Sequence, residues 1–101
     1  MKLRVHDFAE AELLCAARWY EQREPGLGKK FLAEYQSTIE RILGAPRRFA
    51  KLETTRSRRA LRRCFIHRFP YYVGFEIVGD QIHVLSVAHA KRRPNYWIRR
   101  R

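Results

Sequence analysis

Residues 71–88 constrain the fold most. Tyr71–Val78 and Gln81–Ala88 are runs rich in apolar residues, separated by Gly79-Asp80, a two-residue turn of hairpin type. In the second run Ile82, Val84, Leu85, Val87 and Ala88 place apolar side chains on both faces. A strand of that kind needs cover on each side, so it is predicted to lie in the middle of a sheet.

The rest of the chain supplies the cover. Lys2–His6 alternates and predicts a short first strand. Asp7 is in place to cap a helix, with Glu10 at capping-box spacing. That helix is expected to run to about Arg23, with Ala9, Leu13, Ala16 and Tyr20 on one stripe. Pro25-Gly26-Leu27-Gly28 breaks it, and a second helix to about Leu43 repeats the stripe with Phe31, Tyr35, Ile39 and Ile42. Gly44 and Pro46 end it. So short a connection predicts an antiparallel helical hairpin laid on the sheet. Residues 47–59 are polar and aperiodic, a long loop carrying Lys51, Arg56, Arg58 and Arg59, and Leu61–His67 reads as a further strand before Phe69-Pro70 interrupts. The expectation is one α+β domain spanning residues 1–101, in the order β-α-α-β-β-β, with an antiparallel sheet and the hairpin packed on one face.

Charge divides the chain. Residues 1–46 hold seven basic and seven acidic side chains, whereas residues 47–101 hold fifteen basic and three acidic ones. The whole net charge of +12 therefore belongs to the sheet half and its tail. Seventeen of the twenty-two basic residues are Arg, whose planar fork suits phosphate or carboxylate where Lys offers a point charge. Such a field favours polyanions, either nucleic acid or an acidic protein segment.

Several chemistries are not written in the sequence. Cys15 and Cys64 are too few for a disulfide framework or a zinc site, and both are expected to be small buried hydrophobes. His6, His67 and His83 lie singly on strands without metal spacing, and no cofactor is implied. There is no Gly-rich phosphate loop, no Ser/His/Asp signature, and Glu53, Glu76 and Asp80 are widely separated. No apolar run approaches the roughly 20 residues that span a bilayer, and no signal-peptide pattern precedes the first strand. A soluble, cytoplasmic protein with reduced thiols is expected.

If the helices cover one face of the sheet, the other face and the tail stay available. Arg62 or Arg63 would point there, beside Arg68, His89, Lys91, Arg92, Arg93, Tyr96 and Trp97. Arg on phosphate and rings on bases are what single-stranded nucleic acid binding uses. Tyr96 and His89 are also candidates for proton transfer. Each has a structural counterpart: Trp97 as an anchor for the tail with Tyr96 packed beside it, and His89 as a hydrogen-bonded strand end.

The order of Trp19-Tyr20-Glu21, Pro25-Gly26-Leu27-Gly28, Phe31, Arg62-Arg63, Arg68-Phe69-Pro70-Tyr71 and His89-x-x-Arg92-x-Pro94-x-Tyr96-Trp97 resembles the RelE/ParE toxins of type II toxin–antitoxin modules. The resemblance implies the same β-α-α-β-β-β fold, growth inhibition, a cognate antitoxin whose extended acidic segment wraps the domain, and oligomers formed mainly through that antitoxin. ParE-like members, of the kind linked to plasmid stabilization, poison DNA gyrase. RelE-like members are metal-independent endoribonucleases that cut mRNA on the ribosome. Carried over residue by residue, the RelE catalytic set falls on Arg63, Arg92 and Tyr96, but two expected Arg positions hold Tyr72 and Ala90. Arg68 or Arg93 would have to substitute, and one residue of slip turns a strand side chain to the other face. The resemblance therefore favours a ParE-like, non-enzymatic toxin directed at gyrase. The alternatives are a ribosome-dependent mRNA endonuclease and a non-toxic basic RNA-binding module.

Overall fold

The computed structural model describes residues 1–52 and 59–101. Of the expected loop 47–59, Glu53, Arg56 and Arg58 lie outside the described residues. The element order is β1 (Lys2–Val5), α1 (Asp7–Arg23), α2 (Leu27–Gly44), a 3-10 turn at Pro46–Arg48, β2 (Leu61–Phe65), β3 (Tyr71–Val78) and β4 (Gln81–His89). The sheet order is β1-β4-β3-β2, which makes the doubly apolar β4 a central strand.

Two expectations change in detail. The sheet is mixed: β2-β3-β4 is an antiparallel meander, but β1 runs parallel to β4. The meander reverses twice, so β4 has the sense of β2, and the helical connection sets β2 in the sense of β1. The first helix is capped by His6 and not by Asp7. His6 keeps extended backbone angles, and its Nδ1 accepts from the Phe8 N–H at 3.1 Å. Asp7 and Glu10 fall inside the first turn, where carboxylates favour the helix dipole.

The turn between the helices is locked by Glu21. Its carboxylate accepts from the backbone N–H groups of Gly26 and Gly28, and Gly26 takes a φ of 89° that its lack of a Cβ allows. A Cβ on Gly28 would lie 2.5 Å from the Ala17 carbonyl oxygen, so the helices close only over a glycine.

The hairpin buries Ala9, Ala16, Phe31, Tyr35, Ile39 and Ile42 against Cys64, Val73, Phe75, Ile82, Val84 and Val87 of the sheet. A second, smaller core lies on the other side of the sheet: Leu61, Tyr72, Leu85 and Ala88 pack against Trp97 and Ile98 of the tail. One irregularity in the β3–β4 ladder serves both layers. Phe75 pairs with Val84 and Gly74 with Ser86, leaving Leu85 as an extra residue. The bulge lets Val84 and Val87 face the helices while Leu85 and Ala88 face the tail.

The sequence predicts an open sheet face opposite the helices, but that face is partly covered. The tail roofs part of it. Trp97 is fully buried, its indole N–H donates to the Tyr72 hydroxyl at 2.9 Å, and its ring lies over Gly74. Further along, Arg59 makes a bidentate pair with Glu76 at 2.6 and 2.7 Å and donates to the Ile98 carbonyl.

Candidate functional site

β1 pairs with Gln81–Val84, and among the described residues no strand lies beside the outer edge of β4 beyond that point. Helix α1 takes the place of one. Glu12 projects from α1, and its Oε1 accepts from the Val87 N–H at 3.1 Å, satisfying an edge donor that a strand would otherwise satisfy. The same carboxylate accepts from the Tyr96 hydroxyl and from Arg100 at 2.7 Å, and Arg92 stands 3.8 Å away. One acid thus ties α1, β4 and the tail together.

Around it the face of α1 carrying Glu12, Cys15, Ala16 and Trp19 looks onto a cleft closed on the other side by Pro70, Tyr71, Val87 and His89. Its volume is about 570 Å³. The spacing of those helix residues is i, i+3, i+4, i+7, a second stripe beside the core stripe. Cys15 is exposed in consequence, contrary to the buried position expected for it, whereas Cys64 is buried and its thiol is pushed up by burial. Trp19 is half exposed, with the Arg23 guanidinium 4.4 Å above its ring.

The sequence candidates part company here. Arg92 and Tyr96 are brought together, with the guanidinium 3.9 Å from the ring centroid. His89 lines the same cleft, packs edge-on to Tyr71, and accepts from the Lys91 N–H through Nδ1. Arg63 instead stacks on Phe65 and Tyr72 and is not among the residues that line this cleft. Arg62 turns toward the helical side, is buried, and donates to the Phe49 carbonyl at 2.7 Å. Trp97 is sealed inside. Arg68 is an exposed residue with a φ of 72°, 3.8 Å from Glu34. Lys91 and Arg93 are exposed.

Tyr96 is the most perturbed of these groups. Burial raises its phenol above the ordinary value, the hydrogen bond to Glu12 and that carboxylate's charge raise it further, and Arg92 and Arg100 oppose them. At neutral pH the phenol keeps its proton and directs it at Glu12. Burial likewise raises Tyr20, Tyr35 and Tyr71. Among the described residues, no three His, Cys, Asp or Glu side chains gather as a metal site, and no helix is long and apolar enough to cross a membrane.

The sequence does not mark Glu12, Cys15, Trp19 or Arg100 as members of this site. The α1 residues left a trace, the second stripe, which was hidden because the core stripe beside it already accounted for the helix. Arg100 left none, since only the folded tail brings it to Glu12.

A family model described as the ParE toxin of the type II toxin–antitoxin system parDE matches residues 3–94. The chain belongs to the ParE toxin family. The match stops just short of Tyr96, Trp97 and Arg100, the tail residues that complete the Glu12 cluster and the second core. A solved structure titled as the chromosomal ParDE system from P. aeruginosa is similar in fold, with a TM-score of 0.65 and 20% identity. It covers 90% of this chain and 97% of that one. No curated protein matches. As a ParE-family member, the chain has the α+β architecture of a helical hairpin on a four-stranded sheet.

Proposed function

We propose that this ParE-family chain inhibits growth by binding DNA gyrase without nuclease chemistry, and that it is neutralised by a cognate antitoxin whose acidic segment covers its basic surface. One observation carries the choice of target: the Tyr96 phenol is committed to Glu12. RNA cleavage through the 2′-hydroxyl needs a proton acceptor, a proton donor and cationic groups converging on one phosphate. Here the tyrosine that would transfer the proton points it at a carboxylate, and its raised pKa makes it a poor acid at neutral pH. Arg63, the third member of that set, makes its ring contacts with Phe65 and Tyr72 and not with Arg92 or Tyr96. Positions where a nuclease of the RelE kind would carry Arg hold Tyr72, which is buried under Trp97, and Ala90.

The test uses the purified protein in two assays. With gyrase and plasmid DNA it is expected to block supercoiling or trap cleaved DNA, and added antitoxin should reverse the effect. With programmed ribosomes no new mRNA cuts are expected. Cuts that disappear in Tyr96→Phe would overturn the proposal in favour of an endonuclease. Unchanged growth on expression without antitoxin would remove both toxic activities together and leave a non-toxic basic module.

A further inference from the structure

The tail-side face of the sheet carries unpaired cations at both of its edges. Val5 packs into the core under the helices, so alternation along β1 turns Lys2 and Arg4 to the other face. Arg4 stands beside His83 in the cross-strand register, and His83 beside Glu76. At the opposite edge Arg63 lies on the same face, over Phe65 and Tyr72. The tail runs over β3 between the two edges, with Trp97 above Gly74 and Ile98 tied to Glu76 through Arg59, and it carries Arg99. Lys2, Arg4, Arg63 and Arg99 are exposed, and among the described residues none of them makes an ion pair.

Little negative charge opposes them. Residues 1–6 and 59–101, which make most of this face, contain two acids. Glu76 is already neutralised by Arg59, and Asp80 sits at the rim in the β3–β4 turn. Glu12, which reaches the tail from α1, is taken by Tyr96 and Arg100.

We propose that this face binds the phosphate backbone of duplex DNA. Spacing selects the duplex: the edge strands β1 and β2 lie roughly 14 Å apart, three inter-strand steps, close to the ~12 Å width of the major groove. Cations on the two edges can therefore neutralise phosphates of both strands at once, with Arg99 between them. Ring chemistry disfavours a single strand, which needs a row of open rings on which bases stack. Here Trp97 and Tyr72 are buried, and Phe65 already carries the Arg63 guanidinium. Phosphate contacts position a duplex without reading it, so binding is indifferent to sequence. The inference rests on the reading above in one respect only: under it, the duplex is the one that gyrase holds, and the toxin grips enzyme and DNA together.

The experiment measures binding of a short dye-labelled DNA duplex to the full chain by fluorescence anisotropy at several salt concentrations. Two charge-reversed variants are compared, Arg4→Glu with Arg63→Glu on this face and Arg18→Glu with Lys29→Glu on the helices, which change the net charge equally. The sheet-face pair is expected to weaken binding by about tenfold or more and to lower the salt slope of log K by about two, the worth of two lost phosphate contacts. The helix pair should weaken it by less than about threefold, since exposed charges beyond a Debye length act weakly. Thermal midpoints show whether each variant is folded. Where Arg63→Glu lowers the midpoint, Lys2→Glu with Arg99→Glu takes its place. Equal weakening by the sheet-face and helix pairs overturns the proposal, because the attraction is then diffuse. So does tighter binding of the single strand, or of an RNA duplex of the same sequence, that is lost in the sheet-face pair. Gyrase is absent from the assay, so a failed supercoiling test leaves this surface standing, and failed DNA binding leaves the toxin reading standing.

Discussion

Replacing Tyr96 with phenylalanine isolates one proton. Its phenol is raised above the ordinary value of 10, first by burial and then by the bond to Glu12. A group raised on folding adds stability that is fully present below its unfolded value and is lost as pH climbs through the folded one. Parent protein is therefore expected to exceed Tyr96→Phe in stability at neutral pH by about 1.5–3 kcal/mol, the usual worth of a hydrogen bond to a charged group. The gap should narrow only above pH 10, and denaturant melts taken across that range check it. A gap that stays constant to high pH would mean that the phenol does not depend on Glu12. At this scale the sequence was partly legible. It marked Tyr96, Arg92 and His89 as one neighbourhood because they are close in the chain. It missed Glu12, eighty-four residues from Tyr96, since nothing local in a helix tells which distant donor its acid will meet.

Among the elements, the tail behaves as a third layer. Its anchor is a socket made by absence: a Cβ on Gly74 would sit 2.5 Å from the Ser86 hydroxyl and 2.6 Å from the Trp97 ring. Gly74→Ala is expected to lift the indole and cost about 1–3 kcal/mol by overpacking. Trp97→Ala empties the socket and is expected to cost about 3–5 kcal/mol. Urea melts give both values, and amide exchange should show the loss of protection concentrated at Tyr72, Leu85 and the residues after Asn95. Were exchange to rise evenly across the helices instead, the tail would not be an independent layer. The helices, the hairpin turn and the central place of β4 could be read from periodicity, because each depends on neighbours a few residues away. The parallel pairing of β1 could not, because it follows from how separate segments meet, and of the roof over the second face only its anchor, Trp97, was legible.

The whole molecule is electrically lopsided. Its neutral half forms β1 and the helical hairpin, while the surplus of twelve positive charges lies in residues 47–101. Several of those charges are consumed internally: Arg59 by Glu76, Arg62 by the Phe49 carbonyl and Arg100 by Glu12. Others, including Arg63, Lys91, Arg93 and Arg99, are exposed. Association with an acidic antitoxin is expected to slow by about tenfold or more between low and physiological salt, with a much smaller change in dissociation. Stopped-flow mixing at several salt concentrations measures this, and equal rates throughout would argue against electrostatic steering.

The two indoles of the chain sit in opposite surroundings, one half open on α1 and one sealed beneath the tail. Their emission should differ in colour and in access to quenchers. The blue-shifted, protected component then reports whether the third layer is seated, and the red-shifted, quenchable one whether anything has entered beside α1. Both signals come from the unlabelled protein in one cuvette, so unseating and occupancy can be followed in the same titration.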